Sequence, residues 1–293
     1  MNLHELEEQA THEQEARTVL HGQRLAFIGG GVMAEVMMSG VLERHLTEPG
    51  LIKVSHPRPK RAEELASRLG VNVTTSNSEA ARDADIVILC VKPQRLNPVL
   101  NELAGQIKPH QLLISIITGT TTETLASRLD HPAVVRVMPN TPAQIGHGMS
   151  VWTTTPAVTS HQREQVKTLL GALGKEMWFE EERYIDMATA VSGTGPAYVF
   201  LFMEALIDAA VHLGFSRNDA RELVTETVLG SVLLTRESPR HPAELRNMVT
   251  SPNGTTAEAL YELEKGSLRT ILSKAVHAAY QKTSVLSSMT DKK

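Results

Sequence analysis

The chain has 293 residues, 29 basic against 33 acidic side chains, a formal net charge of -4 and a single cysteine, Cys90. That length accommodates two modest domains, and the lone cysteine excludes an internal disulfide framework or multi-cysteine metal site and fits a reducing cytoplasm. No Lys/Arg cluster is interleaved with aromatics, which argues against a nucleic-acid partner.

No apolar run approaches the roughly 20 residues of a membrane span, and the acidic N-terminus lacks the pattern of a signal peptide. The reading is a soluble, cytoplasmic protein with no membrane partner. The 12 histidines form neither an HxxxH nor an HxH cluster, so no metal site is expected.

Residues 1–23 form a charged N-terminal extension in which Leu3, Leu6 and Ala10 give only weak helical spacing. They read as a surface helix or a disordered segment and receive no function. Leu25-Ala26-Phe27-Ile28 then reads as a short buried strand running into Gly29-Gly30-Gly31-Val32-Met33-Ala34 and a helix. This is GxGxxA in its proper context. Gly29 makes the tight turn, Gly31 lets a pyrophosphate approach the backbone, and Ala34 permits close helix–strand packing, so Gly29, Gly31, Val32, Met33 and Ala34 are expected at a dinucleotide.

A second strand at Leu51 to Ser55 and an unbroken apolar run at Ile86 to Val91 follow, alternating with helical segments at Pro59 to Leu69, Leu96 to Ile107 and Thr122 to Leu129. The βαβ series reaches at least Val137 and predicts a parallel sheet covered on both faces. At the end of the second strand stand Ser55-His56-Pro57-Arg58. No carboxylate is present to hold ribose hydroxyls. Arg58, Lys60 and Arg61 offer charge and forked donors suited to a 2′-phosphate, so NADPH is favoured over NADH, although a solvated helix start would read the same way.

Val91-Lys92-Pro93 lies at the carboxyl end of the next strand, where open α/β sheets bind ligands and where Lys92 would lie beside a nicotinamide. Asn140 and Thr141, in Arg136-Val137-Met138-Pro139-Asn140-Thr141-Pro142, aim neutral hydrogen-bonding groups at the same crevice. Val151-Trp152, a helix ending near Gly174 and a strand over Lys175 to Phe179 close this domain, set at residues 24–180.

Strand signals stop beyond Glu180, and residues 181–293 read as an all-helical domain with helices over Asp219 to Thr235, Ala257 to Leu263 and Leu268 to Leu286. Ser192-Gly193-Thr194-Gly195-Pro196 reads as a turn opening a buried helix that ends before Gly214, with Pro196 at its first position. Its free N–H groups would make an anion site, or simply a Gly-rich entry turn. Val249 to Ala257 supplies a second hydroxyl-rich helix start. The fold class is therefore α/β: a Rossmann-type doubly wound sheet followed by a helical domain.

The GxGxxA loop, Val91-Lys92-Pro93-Gln94, Arg136 to Pro142, Ser192 to Phe200 and Ser251-Pro252-Asn253-Gly254-Thr255-Thr256 occur in this order. In these motifs, which span nearly all of Arg24 to Leu286, the chain resembles the pyrroline-5-carboxylate reductases. The resemblance implies NAD(P)H-dependent reduction of a cyclic imine to proline, the final step of proline synthesis. By motif position it implies an adenosine-side role for Asn77 and substrate-contacting hydroxyls on Ser251 and Thr256. Asn253 stands where the family usually has glycine, and asparagine tolerates the left-handed backbone the turn needs.

No Ser-His-Asp triad, carboxylate pair or well-placed histidine offers strong acid–base catalysis. A cyclic imine protonates from water, so the work falls to proximity and orientation. The substrate carboxylate is then expected on Ser192, Gly193, Thr194 and Gly195 and on Asn253, Gly254 and Thr255, with Ser251 beside it and Thr256 bonding the ring nitrogen. A β-hydroxyacid oxidoreductase would need a catalytic lysine between Ala190 and Leu213, where none occurs. A non-catalytic nucleotide sensor would have lost the hydroxyl-rich turn, which is intact. The apolar circumference of the helix after Pro196 exceeds what one small domain covers, and the resemblance points the same way, toward a homodimer or higher homo-oligomer.

Overall fold

The computed structural model describes residues 19–290. The reading of residues 1–23 as an extension therefore falls mostly outside the described residues, but Leu20 is fully buried in the core beside Leu25 and Val41. The chain divides into two compact units, one comprising residues up to Gly193 together with Ala279 onward, the other Thr194–Ala278.

The first unit is an eight-stranded sheet of order β3-β2-β1-β4-β5-β6-β7-β8. Its strands are β1 (Leu25–Ile28), β2 (Ile52–Ser55), β3 (Asn72–Thr74), β4 (Ile86–Leu89), β5 (Leu112–Ser115), β6 (Val134–Met138), β7 (Gly148–Thr154) and β8 (Gly174–Trp178). All neighbours pair in parallel except β6 with β7. Parallel strands need covered crossovers, which are supplied by α1 (Val32–Glu43), α2 (Pro59–Leu69), α3 (Asn77–Ala81), α4 (Leu96–Leu103) and α5 (Thr122–Leu129). A further helix, α6 (Ser160–Gly171), joins β7 to β8.

Strand periodicity sorts the side chains between two cores. Leu25 and Phe27 pack with α1 and α6 on one face, while Ala26 and Ile28 pack with α4 and α5 on the other. Local signals fix the helix starts. Thr121 accepts the N–H of Thr124 at 3.1 Å, and Thr159 with Gln162 forms a reciprocal capping box before α6.

Arg136, in the middle of β6, is fully buried. Its guanidinium pairs with Glu182 at 2.8 Å and Asp186 at 2.6 Å, and Glu182 also accepts from the backbone and hydroxyl of Thr122. These bonds fasten α7 (Arg183–Ala188) to the sheet. A buried cation so paired is costly to expose singly, because its partners would be left unbalanced.

The second unit contains α8 (Gly195–His212), α9 (Arg217–Glu237), α10 (Pro242–Met248), α11 (Thr255–Lys265) and the first part of α12 (Leu268–Thr290). Gly214, at φ +112°, ends the α8 segment as its sequence position requires. Two expectations are corrected here. The helix after Pro196 is not buried within one chain: α8 has no buried residue, and Phe200, Leu201 and Phe202 are exposed. The described side chains buried in this unit are Ala220 and Val224. Second, Arg183–His212 is one helical run of 30 residues, long and apolar enough by length and composition to cross a bilayer. The sequence reading missed it by starting a new helix at Pro196.

Candidate active site

The glycine loop sits where β1, β2 and β4 end. Gly29 has φ +102° and donates its N–H to the Ser55 carbonyl at 3.1 Å, while a side chain on it would meet Val91 at 2.9 Å. Gly31, the N-terminal boundary residue of α1, faces open space with nothing within 4 Å of a notional Cβ, and Ala34 is fully buried. The loop thus leaves backbone open to an incoming phosphate and packs its helix tightly behind. Val32 is exposed and Met33 half-buried at the same helix start.

Ser55 is buried and donates from Oγ to Asn77 Oδ1 at 2.7 Å. Asn77, at the first position of α3, donates from Nδ2 to Glu102 at 2.6 Å, and Glu102 also receives the Asn77 backbone N–H at 2.9 Å. Sequence reading has no signal for Glu102, which lies 25 residues away in the chain. Arg58 and Lys60 are exposed, and their side chains make no hydrogen bond or ion pair among the described residues. The His56 imidazole accepts the Arg58 N–H at 3.2 Å, and its pKa is lowered, chiefly by burial and further by the nearby Arg58 and Arg61 charges.

Arg61, read as one of three basic residues suited to a 2′-phosphate, donates from Nε to the Gly30 carbonyl at 3.2 Å and pairs with Glu35 and Glu64. A triple glycine looks incidental in sequence, yet a Cβ on Gly30 would meet Leu65 Cδ1 at 2.6 Å. Val91, Lys92 and Pro93 follow β4 after Cys90, with Lys92 exposed at the start of a short 3-10 turn. Desolvation pushes the Cys90 thiol well up, out of the range of a nucleophile.

Asn140 accepts the Met149 N–H at 2.8 Å and donates from Nδ2 to the Ser192 carbonyl at 3.0 Å. The expected helix start at Ser192 to Pro196 is also corrected, because α7 continues through a π-helical segment, Thr189–Gly193, into α8. Ser192 Oγ donates to the Ala188 carbonyl at 3.0 Å. Pro196 lacks the N–H that would close an ordinary helical turn, and the widened turn accommodates the defect. Ser192 and Gly193 belong to the first unit, Thr194 and Gly195 to the second.

In the second unit, Ser251 to Gly254 forms a turn closed by the Gly254 N–H to the Ser251 carbonyl at 3.1 Å. Asn253 occupies φ +56°, as its side-chain type permits, and a Cβ on Gly254 would collide with Ser251 Oγ. Gly254 is the N-terminal boundary residue of α11 and no side chain caps the helix. The Thr255 and Thr256 N–H groups and the half-buried Thr256 hydroxyl bond nothing among the described residues. Such a terminus accepts an anion together with a hydrogen-bonding partner.

Residues 182–286 match the family described as pyrroline-5-carboxylate reductase dimerisation, and residues 24–119 match NADP oxidoreductase coenzyme F420-dependent. The chain is 41% identical over 264 residues to a pyrroline-5-carboxylate reductase of Pseudomonas aeruginosa, covering 90% of this chain and 96% of that one. The chain belongs to the pyrroline-5-carboxylate reductase family. It is also 38% identical to the reductase of Glycine max, covering 90% of this chain and 96% of that relative. The Plasmodium falciparum pyrroline carboxylate reductase, solved with NADP bound, superposes with a TM-score of 0.82 at 34% identity, covering 91% of this chain and 98% of that one.

Within this reductase family member, the glycine loop, Ser55, Asn77 and Val91 gather at the carboxyl ends of β1, β2 and β4. The exposed apolar surface of α8 falls inside the segment that matches the dimerisation family. Glu102, Gly30 and the π-helical segment are the features that sequence patterning missed.

Proposed function

We propose that this protein reduces 1-pyrroline-5-carboxylate to L-proline, the last step of proline biosynthesis, using NADPH in preference to NADH. The observation that carries the reading is the pairing, in one reductase-family chain, of an open glycine loop at β1 with the uncapped, hydroxyl-bearing start of α11. Residues 24–180 take the cofactor role, and residues 181–293 take the substrate and dimerisation roles. The protein acts in the cytoplasm as a homodimer or higher homo-oligomer, with no nucleic-acid or membrane partner.

The residues fit a dinucleotide. Gly31 leaves room at the backbone, Gly29 turns the chain, and the helix start from Val32 to Ala34 presents N–H groups to a diphosphate. Arg58 and Ser55, at the end of a strand without a carboxylate, receive the 2′-phosphate side, with Asn77 toward the adenosine. Val91, Lys92, Pro93 and Asn140 flank the nicotinamide side. When bound, the reduced nicotinamide supplies a hydride.

The chain's own contribution is placement. Thr255 and Thr256 N–H groups, with Ser251, Asn253 and Gly254, hold the substrate carboxylate. Ser192, Gly193, Thr194 and Gly195 are the second group assigned to the substrate carboxylate. The Thr256 hydroxyl bonds the ring nitrogen, which reaches the enzyme already protonated, so no strong general acid is required.

Purified protein mixed with NADPH and pyrroline-5-carboxylate should consume the cofactor, measured by nicotinamide absorbance, and yield proline. Arg58→Ala should lower kcat/KM with NADPH by about 10-fold or more, the loss of a charge-assisted bond, while barely affecting NADH. Absence of turnover in the wild type would refute the activity, and an equal loss with both cofactors would refute the role of Arg58.

A further inference from the structure

The most informative unassigned cluster stands behind the glycine loop. Glu35, in the first turn of α1, has a side chain only 14% exposed, yet it lies next to the helix start that must receive a diphosphate. Left alone, its negative charge would oppose such a ligand. It is flanked by Arg61, on α2, and by Arg68, two turns further along the same face of that helix. Arg61 is itself only 21% exposed and also donates from Nε to the Gly30 carbonyl at 3.2 Å.

We infer that Arg61 is a positioning residue for dinucleotide binding, acting through Gly30 and Glu35 rather than by touching the 2′-phosphate. This inference rests on the dinucleotide reading above. In a planar trans peptide the carbonyl and the following N–H point in opposite directions. A cationic donor on the Gly30 oxygen therefore fixes and polarises the Gly30–Gly31 peptide, whose N–H belongs to the residue left open to the phosphate. The same guanidinium shares with Arg68 the neutralisation of Glu35, reducing a repulsion at the helix start. Both effects act on the diphosphate, which NADPH and NADH share. Arg58, by contrast, has no such tie and is the residue proposed above for the group in which the two cofactors differ.

The test is direct binding of NADPH and NADH to the intact oligomer, followed by nicotinamide fluorescence, for wild type, Arg61→Ala, Arg61→Lys and Glu35→Gln/Arg61→Ala. Arg61→Ala should weaken both cofactors by a common factor of about 10 or more, leaving their affinity ratio at the wild-type value. Adding Glu35→Gln should recover part of that loss for both, because it removes a carboxylate that Arg68 alone would then have to balance. Arg61→Lys, which keeps the charge without the fork, should show a smaller common loss and serves where the alanine variant does not fold.

Loss confined to NADPH in either single variant would make Arg61 a 2′-phosphate ligand and overturn the inference. Unchanged affinities, or a double variant no better than Arg61→Ala, would overturn it equally. A wild type that binds neither cofactor would instead remove the dinucleotide reading itself, and this inference with it.

Discussion

Asn140 gives the Ser192 carbonyl, at 3.0 Å, the hydrogen bond that Pro196 withholds. In an uninterrupted α-helix that oxygen would accept the N–H four residues on, and proline has none. The Arg136 to Pro142 motif and the Ser192 to Pro196 motif, separate in sequence, thus meet in one amide whose oxygen also receives the Met149 N–H. Asn140→Ala should cost about 1–2 kcal/mol, the loss of two neutral hydrogen bonds, and lower the Tm by roughly 2–8 °C. Asn140→Asp should be at least as destabilising near neutrality, since a carboxylate would face the Ser192 carbonyl, and should recover on acidification. Thermal melts across pH test this, and an aspartate variant as stable as wild type at neutral pH would refute the bridge.

The start of α11 allows a clean separation of two roles for Thr256. Were it a helix cap, its replacement would cost about 1 kcal/mol of stability. The boundary residue is Gly254, however, and no side chain caps this helix. Thr256→Val should therefore leave the Tm close to wild type while reducing kcat/KM for the imine by about 10- to 100-fold, the value of a hydrogen bond to a charged group. Cofactor affinity should not change. A lowered Tm with intact kcat/KM would assign the hydroxyl to structure.

The elements legible in sequence are those whose period and boundaries agree. Leu25–Ile28, Pro59–Leu69 and Thr122–Leu129 were readable because apolar spacing ended at residues that stop or start an element, such as Pro59 and Thr121. β3 escaped because Asn72-Val73-Thr74 is short and its strand is at the sheet edge. The antiparallel β7 could not be distinguished from a parallel strand by composition. At the site, Gly29, Gly31 and Ala34 were legible because each answers a backbone requirement at a fixed spacing. The partners of Arg61 were not legible, because a basic cluster in sequence does not show which member has a buried acid within reach. The π-helical segment was missed because Gly193, Gly195 and Pro196 signal a turn locally, while the fastening of α7 by Arg136 is a tertiary effect.

His131 predicts a pH dependence of stability. It is 2% exposed and its Nε2 has no partner among the described residues. Burial lowers its pKa below the ordinary value, outweighing backbone hydrogen bonds at Gln111 and Ala133. Protons then bind the unfolded chain more readily than the folded one. The stabilisation is full above the unfolded pKa of about 6.5 and declines as pH falls through the window down to the folded value. His131→Leu should reduce the loss of stability between about pH 7 and pH 5, read from urea midpoints at one fixed protein concentration. An identical decline in both proteins would show that His131 does not contribute.

The exposed face of α8 predicts that assembly and stability are linked. Phe200 is 61% and Leu201 66% exposed, and in the Thr194–Ala278 unit only Ala220 and Val224 are buried among the described side chains. A unit with so little core of its own, and with several large apolar side chains exposed along one helix, carries an interaction surface. The match of residues 182–286 to a dimerisation family identifies the fitting occupant as a second copy of the chain. In a two-fold dimer each residue is buried twice. Burying a Phe or Leu side chain is worth about 1.5–3 kcal/mol, so Phe200→Asp or Leu201→Asp should cost at least about 3 kcal/mol per dimer before the charge is counted. That corresponds to a Kd weakened by more than about 100-fold. Light scattering over a dilution series should show the variants dissociating at concentrations where the wild type remains assembled, with a concentration-dependent Tm and activity falling together. Either substitution leaving the assembly intact, or a wild type that is a fully active monomer, would refute the interface.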